Sequence, residues 1–204
     1  ITQRLPPDKT LSQKQKLANS YLRSMEYKTS SQSQITLTEL MLPSHSNFSG
    51  KIHGGYILNL MDQIAFACAS KHCGHYCVTA SVNKVDFLHP VEVGQLLHLR
   101  ASVNYTGKTS MVVGVRVESE DIKTGQINHC NSSYLTMVAK DDSGCNVNVP
   151  GLILNNAEGV RRYVRSIWRY DEAKQRKARF NEQTFKSEDY VKLLKEHNVK
   201  LEDV

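Results

Sequence analysis

No stretch of the 204-residue sequence approaches the roughly 18 consecutive apolar residues of a membrane-spanning helix, so no helical span is expected. Aromatic residues make up only 7%, with a single tryptophan, and there are just 11 glycines and 5 prolines. With glycine and proline this sparse and no low-complexity tract or internal repeat, a globular protein is expected. Cysteine is scarce and odd in number, at Cys68, Cys73, Cys77, Cys130 and Cys145. The chain is too long to read as a disulfide scaffold and no secretory leader is recognisable, so a reducing, cytoplasmic setting is expected. What is present suffices for a real core: 40% of residues are hydrophobic and 23% charged, which fits one domain with appendages or at most two.

Charge is unevenly spread. Twenty-six Lys and Arg against 20 Asp and Glu give +6, which points to a polyanion partner. Residues 1–33 carry +4, residues 34–150 carry −1 and residues 151–204 carry +3. A nucleic-acid module would hold its surplus on the folded body, so no nucleic-acid partner is expected.

The arm 1–33 is polar, with helical spacing of Leu17, Tyr21, Leu22 and Met25 inside Leu11 to Lys28. Gln34 to Leu42 reads as a strand ending at Pro43. After Gly54 and Gly55 the period becomes helical: Ile57, Met61, Ile64, Ala65, Cys68 and Ala69 share one face, with Asn59, Gln63 and Ser70 opposite. The spacing predicts a helix of about five turns, roughly 28 Å long, ending between Lys71 and Gly74. Val78 to Leu88, Leu96 to Tyr105, Ser110 to Glu120 and Ile127 to Ala139 read as strands separated by turn signals. Short connections imply antiparallel neighbours, hence an α+β fold with an antiparallel sheet wrapped on one long helix. One helix cannot cover both faces and the edges of such a sheet, so self-association is expected. Leu152 to Arg179 predicts a basic helix with Ile153, Val160, Tyr163, Val164, Ile167 and Trp168 as its apolar stripe, and Ser187 to His197 a shorter one.

The chemistry concentrates between Ser46 and Asp62. Asp62 lies one turn from Leu58 and Phe66 and three residues from Ala65, which places a carboxylate in the apolar sector of its helix. A charge there needs a partner or a use. Gly54 and Gly55 serve either as a turn or as the entry of a helix whose first N–H groups approach a ligand oxygen. His53 is either a general base or a positioning residue. Asn47 either caps a loop turn or offers its amide to a water or carbonyl. Cys73 and Cys77 are spaced Cys-x-x-x-Cys, not the paired C-x-x-C that zinc prefers, so no metal is expected from them or from His72 and His75.

Taken together, Asn47-x-x-Gly50-x-x-His53-Gly54-Gly55, the helix with Asp62, the run Asp86-Phe87-Leu88-His89-Pro90 with Gly94, and Tyr105-Thr106-Gly107-Lys108-Thr109-Ser110 resemble the hotdog-fold acyl-CoA thioesterases, nearest the cytosolic acyl-CoA hydrolase branch. The resemblance covers 34–150, leaving 1–33 as arm and 151–204 as a basic helical tail. It implies hydrolysis of acyl-CoA to fatty acid and CoA, with acyl-CoA as substrate and no separate cofactor. It also implies dimers that join their sheets, often as trimers of dimers, with active sites at the dimer interface. Residue by residue, it implies Asp62 as base or nucleophile, Asn47 from the facing subunit as the water- or carbonyl-orienting group, and the Gly54 and Gly55 backbone beside His53 as oxyanion support. Some relatives add a hydroxyl on the following strand, which Thr79 or Ser81 would supply. Gly107, Lys108, Thr109 and Ser110 match the position that meets the CoA phosphates, whereas Arg161, Arg162 and Arg165 are weaker phosphate candidates. A hotdog hydratase or dehydratase and a non-enzymatic acyl-CoA sensor are the competing readings; the first needs a different His and acid arrangement, and the arm lacks room for a helix-turn-helix.

Overall fold

The computed structural model describes residues 26–182 and 197–200. The chain forms two compact units, Ile1–Ser166 and Ile167–Val204. The first unit holds seven described strands: β1 (Tyr27–Thr29), β2 (Ile35–Leu40), β3 (Tyr76–Val82), β4 (Leu96–Thr106), β5 (Ser110–Glu120), β6 (Ile127–Lys140) and β7 (Gly151–Ile153). Helices α1 (Ser30–Ser33) and α2 (Gly54–Cys73) lie between them, and α3 (Ala157–Glu182) follows.

Strands β2-β4-β5-β6-β3 form one five-stranded sheet, antiparallel throughout. Period-2 alternation makes it two-faced: Leu97, Leu99, Ala101 and Val103 of β4, and Met111, Val113, Val115 and Val117 of β5, are all buried on the inner side. Register shifts between Thr79 and Ser81, Val103 and Tyr105, and Val117 and Glu118 add local twist, and the sheet curls around α2.

The predicted helical face is the one that packs. Ile57, Met61, Ile64, Ala65, Cys68 and Ala69 are all buried against the inner sheet face, each large side chain contributing about 1.5–3 kcal/mol. Its C-terminus is closed by Gly74 at φ 71, whose N–H reaches the Ser70 carbonyl at 2.7 Å; a left-handed residue there suits glycine. At the same end His72 is buried, with its ring Nε2 3.1 Å from the Pro150 carbonyl and Lys28 Nζ on its own carbonyl at 2.8 Å.

Several boundaries differ from expectation. The strand expected over Val78 to Leu88 runs Tyr76–Val82, because from Asn83 the chain leaves the ladder to cross the start of α2, tied by Asn83 N–H to Tyr134 and Leu88 N–H to Cys130. Leu152 and Ile153, expected in the tail helix, belong to β7, which pairs parallel with β1. Tyr27 explains Gly151: a Cβ there would stand 2.5 Å from the Tyr27 ring. Lys28 therefore lies in a strand, and the rest of the predicted arm helix up to Met25 falls outside the described residues, as does the helix expected over Ser187 to His197 except for His197. In α3, Tyr163 and Val164 of the expected stripe are half-buried while Val160 is exposed. In the second unit Trp168 and Tyr170 are exposed. No described helix is long and apolar enough to cross a membrane.

Candidate active site

The loop before α2 is held in shape by its own side chains. Asn47 Oδ1 accepts from Ser49 N–H at 3.0 Å, Ser49 Oγ at 2.8 Å and Lys51 N–H at 3.2 Å. Lys51 pairs with Glu92, and Ile52 N–H bonds the Val91 carbonyl at 2.9 Å. Both alternatives for Asn47 are therefore compatible: its carbonyl organises the turn, and its exposed amide NH2 is left to donate outward.

His53 is the N-cap of α2, its Nδ1 accepting the Gly55 N–H at 2.9 Å. An accepting Nδ1 keeps the ring proton on Nε2. The glycine pair is required by close approach: a Cβ on Gly55 would lie 3.0 Å from that Nδ1, and one on Gly54 would lie 3.2 Å from the Phe87 ring. With Gly55 N–H given to the cap, the first-turn donor left to face a ligand is the Gly54 N–H, at the positive end of a 20-residue helix. Behind this turn Tyr56 OH donates to Glu39 on β2 and stacks on His45, ring centroids 3.9 Å apart. The Glu39 hydrogen bond, with burial added, pushes the Tyr56 hydroxyl up to about 12.

Two turns into α2, Asp62 faces out of the core. Its neighbours at one turn, Leu58 and Phe66, are 37% and 38% exposed, and Asp62 itself is exposed. The apolar sector expected around it exists, but on the flank where the helix leaves the sheet, so in one chain the carboxylate is not desolvated. What it has is one specific partner. Thr79 Oγ1 donates to Asp62 Oδ1 at 2.6 Å, a short, charge-assisted bond. Among Thr79, Ala80 and Ser81, the geometry therefore singles out Thr79; the bulge between Thr79 and Ser81, invisible in the sequence, is where the strand's alternation breaks.

The structure thus joins Asp62 with Thr79, and His53 with Gly54 and Gly55. Within one chain no bond links Asn47 to Asp62 among the described residues. Gly107, Lys108, Thr109 and Ser110 form the β4–β5 turn, closed by Gly107 N–H on the Ser110 carbonyl at 2.8 Å. Gly107 and Lys108 line an open cleft of about 580 Å³ with Tyr27, Leu152 and Tyr163. Cys73 and Cys77 face each other with sulfurs 3.4 Å apart. That contact pulls the Cys73 thiol below its usual range and pushes Cys77 above it. Among the described residues no third His, Cys, Asp or Glu joins them.

Comparison with known proteins gives a consistent result. Residues 49–126 match the family model described as the thioesterase superfamily. Protein VdlD of Helicobacter pylori is 45% identical over 114 residues, 56% of this chain and 66% of its own length. The chain thus spans just under two thirds of that relative. The uncharacterized acyl-CoA thioester hydrolase YkhA of Bacillus subtilis is 33% identical over 146 residues, 72% of this chain and 85% of its own. Among solved structures, an apo hexameric acyl-CoA thioesterase superposes with a TM-score of 0.73 at 38% identity, covering 76% of this chain and 99% of that one. The acyl-CoA hydrolase of Staphylococcus aureus, solved with butyryl coenzyme A, coenzyme A and coenzyme A disulfide, gives 0.71 at 32% identity, covering 76% and 95%. Alanine variants of that hydrolase at an aspartate, a threonine and an asparagine superpose with TM-scores of 0.71, 0.68 and 0.72.

Proposed function

Because the chain belongs to the thioesterase superfamily of hotdog proteins, we propose that it hydrolyses acyl-CoA thioesters to a free acid and CoA, with Asp62 activating the water. The observation that carries this is the Thr79 hydroxyl on the exposed Asp62 carboxylate: it orients one oxygen and leaves the other to take a proton. The Staphylococcus aureus hydrolase supports the assignment. Its substituted asparagine, aspartate and threonine follow one another at intervals of 15 and 17 residues, the intervals that separate Asn47, Asp62 and Thr79.

In this mechanism Asp62 Oδ2 draws a proton from water as the oxygen attacks the thioester carbon. Negative charge develops on the carbonyl oxygen, where the Gly54 N–H and the dipole of α2 stabilise it, with the His53 imidazole holding the turn through Gly55. The Asn47 NH2, supplied by a second copy, orients water or carbonyl. The tetrahedral intermediate collapses by breaking the C–S bond, and CoA departs as thiolate, a leaving group that requires no metal. Lys108, with Gly107, Thr109 and Ser110, meets the phosphorylated end of CoA. The catalytic body is residues 34–150, flanked by arm and tail.

A second copy is needed on physical grounds. Leu58 and Phe66 flank Asp62, and Tyr76 and Val82 on the sheet-edge strand β3 are 61% and 50% exposed, so one chain leaves apolar surface and the open outer edge of β3 beside its own carboxylate. Pairing β3 with a second β3 covers both, and the hexameric neighbour makes a trimer of such dimers the assembly to look for.

The test is release of free thiol from a panel of acyl-CoAs of increasing chain length. The expected result is turnover by the wild type and a loss of about 10²–10⁴-fold in Asp62→Asn, with oligomer size unchanged. Undiminished turnover in that variant would remove Asp62 from the mechanism.

A further inference from the structure

On the opposite side of the sheet from α2 lies a cleft of about 400 Å³. Its floor comes from the outer faces of β4, β5 and β6, and its wall from the first turns of α3. Five arginines line it: Arg100, Arg116, Arg161, Arg162 and Arg165. Arg100 and Arg116 are direct cross-strand partners, an arrangement of like charges that destabilises a sheet unless an anion answers it.

The carboxylates at hand do not balance this charge. Glu118 is shared by Arg100 and Arg116, each at 2.8 Å. Glu158 is shared by Arg161 at 2.5 Å and Arg162 at 2.7 Å. Arg165 pairs with no carboxylate among the described residues. Five guanidinium groups against two carboxylates leave a surplus of three positive charges around one concavity. The shared pairs also fix the forks in place, since each carboxylate clamps two arginines and leaves other N–H groups of both open.

One neutral donor, the Asn104 amide NH2, completes the floor. Ser102 and Asn104 are 7% and 6% exposed, and Ser102 Oγ donates to Asn104 Oδ1 at 3.0 Å. Arg162 reaches the same Ser102 Oγ at 3.4 Å. The Asn104 amide nitrogen lies flat over Gly114, where any Cβ would stand 2.2 Å from it. A buried amide whose oxygen is held by the Ser102 hydroxyl, beneath a ring of arginines, is a built concavity, unlike a solvated basic surface.

We infer that this outer-face cleft binds a small phosphate-rich anion, a molecule carrying two or three linked phosphoryl groups. Arginine forks match phosphate oxygens in bidentate geometry. Two phosphoryl groups at about −1.5 to −2 charge each match the surplus, and the volume falls in the range of small-ligand sites. The inference does not rest on the thioesterase mechanism, because in one chain Asp62 and the cleft are on opposite sides of the sheet. Two sources share this chemistry: a free oligophosphate compound, or the phosphorylated end of a CoA seated on a neighbouring subunit.

The experiment is calorimetric titration of the full chain with sodium pyrophosphate and with sodium triphosphate at 0.15 M salt. Saturable binding of one anion per chain is expected. Arg165→Gln should weaken it at least tenfold, and Arg100→Gln with Arg165→Gln should abolish it. Lys123→Gln, in the β5–β6 turn, should leave it unchanged, and thermal unfolding checks that every variant is folded. Asp62→Asn should bind pyrophosphate as the wild type does, which separates this site from the catalytic proposal. Displacement of bound pyrophosphate by CoA would identify the ligand as the phosphorylated end of CoA; retention in the presence of CoA would identify a separate oligophosphate ligand. No saturable binding to the wild type, or binding within twofold of wild type in the double variant, overturns the inference.

Discussion

Met61 and Asp62 are adjacent in sequence and stand in opposite surroundings. Met61 is 1% exposed among Ile57, Ile64 and Ala65 against the inner sheet face. Asp62, turned about 100° further round α2, looks outward between Leu58 and Phe66 and meets the Thr79 hydroxyl. One flank of the helix is finished within a single chain; the other is apolar, open and carries the carboxylate. The difference teaches that stability and chemistry share one helix while answering to different partners: the chain's own sheet on one side, and by our proposal a second copy on the other.

The widest separation between the flanks comes from substituting these neighbours in turn. Asp62→Asn should cost about 10²–10⁴-fold in thiol release and leave the melting temperature within about a degree. Met61→Ala should do the converse, lowering stability by about 2–5 kcal/mol in a denaturant titration while folded molecules retain turnover. Equal losses of activity per folded molecule would erase the distinction.

A smaller effect sits between strand and helix. Thr79→Val removes the hydroxyl from Asp62 and keeps the shape, so kcat should fall about tenfold with KM nearly unchanged, since a hydrogen bond to a charged group contributes about 1.5–3 kcal/mol and this one is open to solvent. A rise in KM at constant kcat would make Thr79 a binding residue.

The smallest effect lies at the far end of the buried flank. Burial holds the His72 imidazole below its usual pKa, only partly offset by the Pro150 carbonyl, with Lys28 adding to the lowering. The unfolded chain therefore takes up a proton near pH 6.5 that the folded chain refuses. Stability should be steady above that pH and decline as pH falls from about 6.5 toward the folded value, by at most about 1.4 kcal/mol per unit. His72→Gln should flatten that slope between pH 7.5 and 5.5; an unchanged slope would locate the proton elsewhere.

Much of the buried flank was legible because helical periodicity is a local property: Ile57, Met61, Ile64, Ala65, Cys68 and Ala69 fell on one face by spacing alone. Asp62 and the His53-Gly54-Gly55 turn were legible as candidates for the same reason. Thr79 could not be told from Ser81, since a bulge depends on how β3 registers against β6. Phe87 was read as part of a strand, although its ring accounts for Gly54. The short β1–β7 pairing joins residues more than a hundred positions apart and leaves no local signal beyond Gly151. Nothing local in the sequence links Arg100 to Arg116; only the β4–β5 register sets them side by side beneath α3.

The claim that a second copy completes the site is tested most directly by complementation between Asn47→Ala and Asp62→Asn, each expected to be nearly inactive alone. Co-expressed in equal amounts, about half of the dimers would be mixed, and each mixed dimer would hold one site with both residues intact. Thiol release should recover to about a quarter of wild type. Recovery no greater than the sum of the two variants would show that Asn47 and Asp62 act within one chain, and would contradict the account.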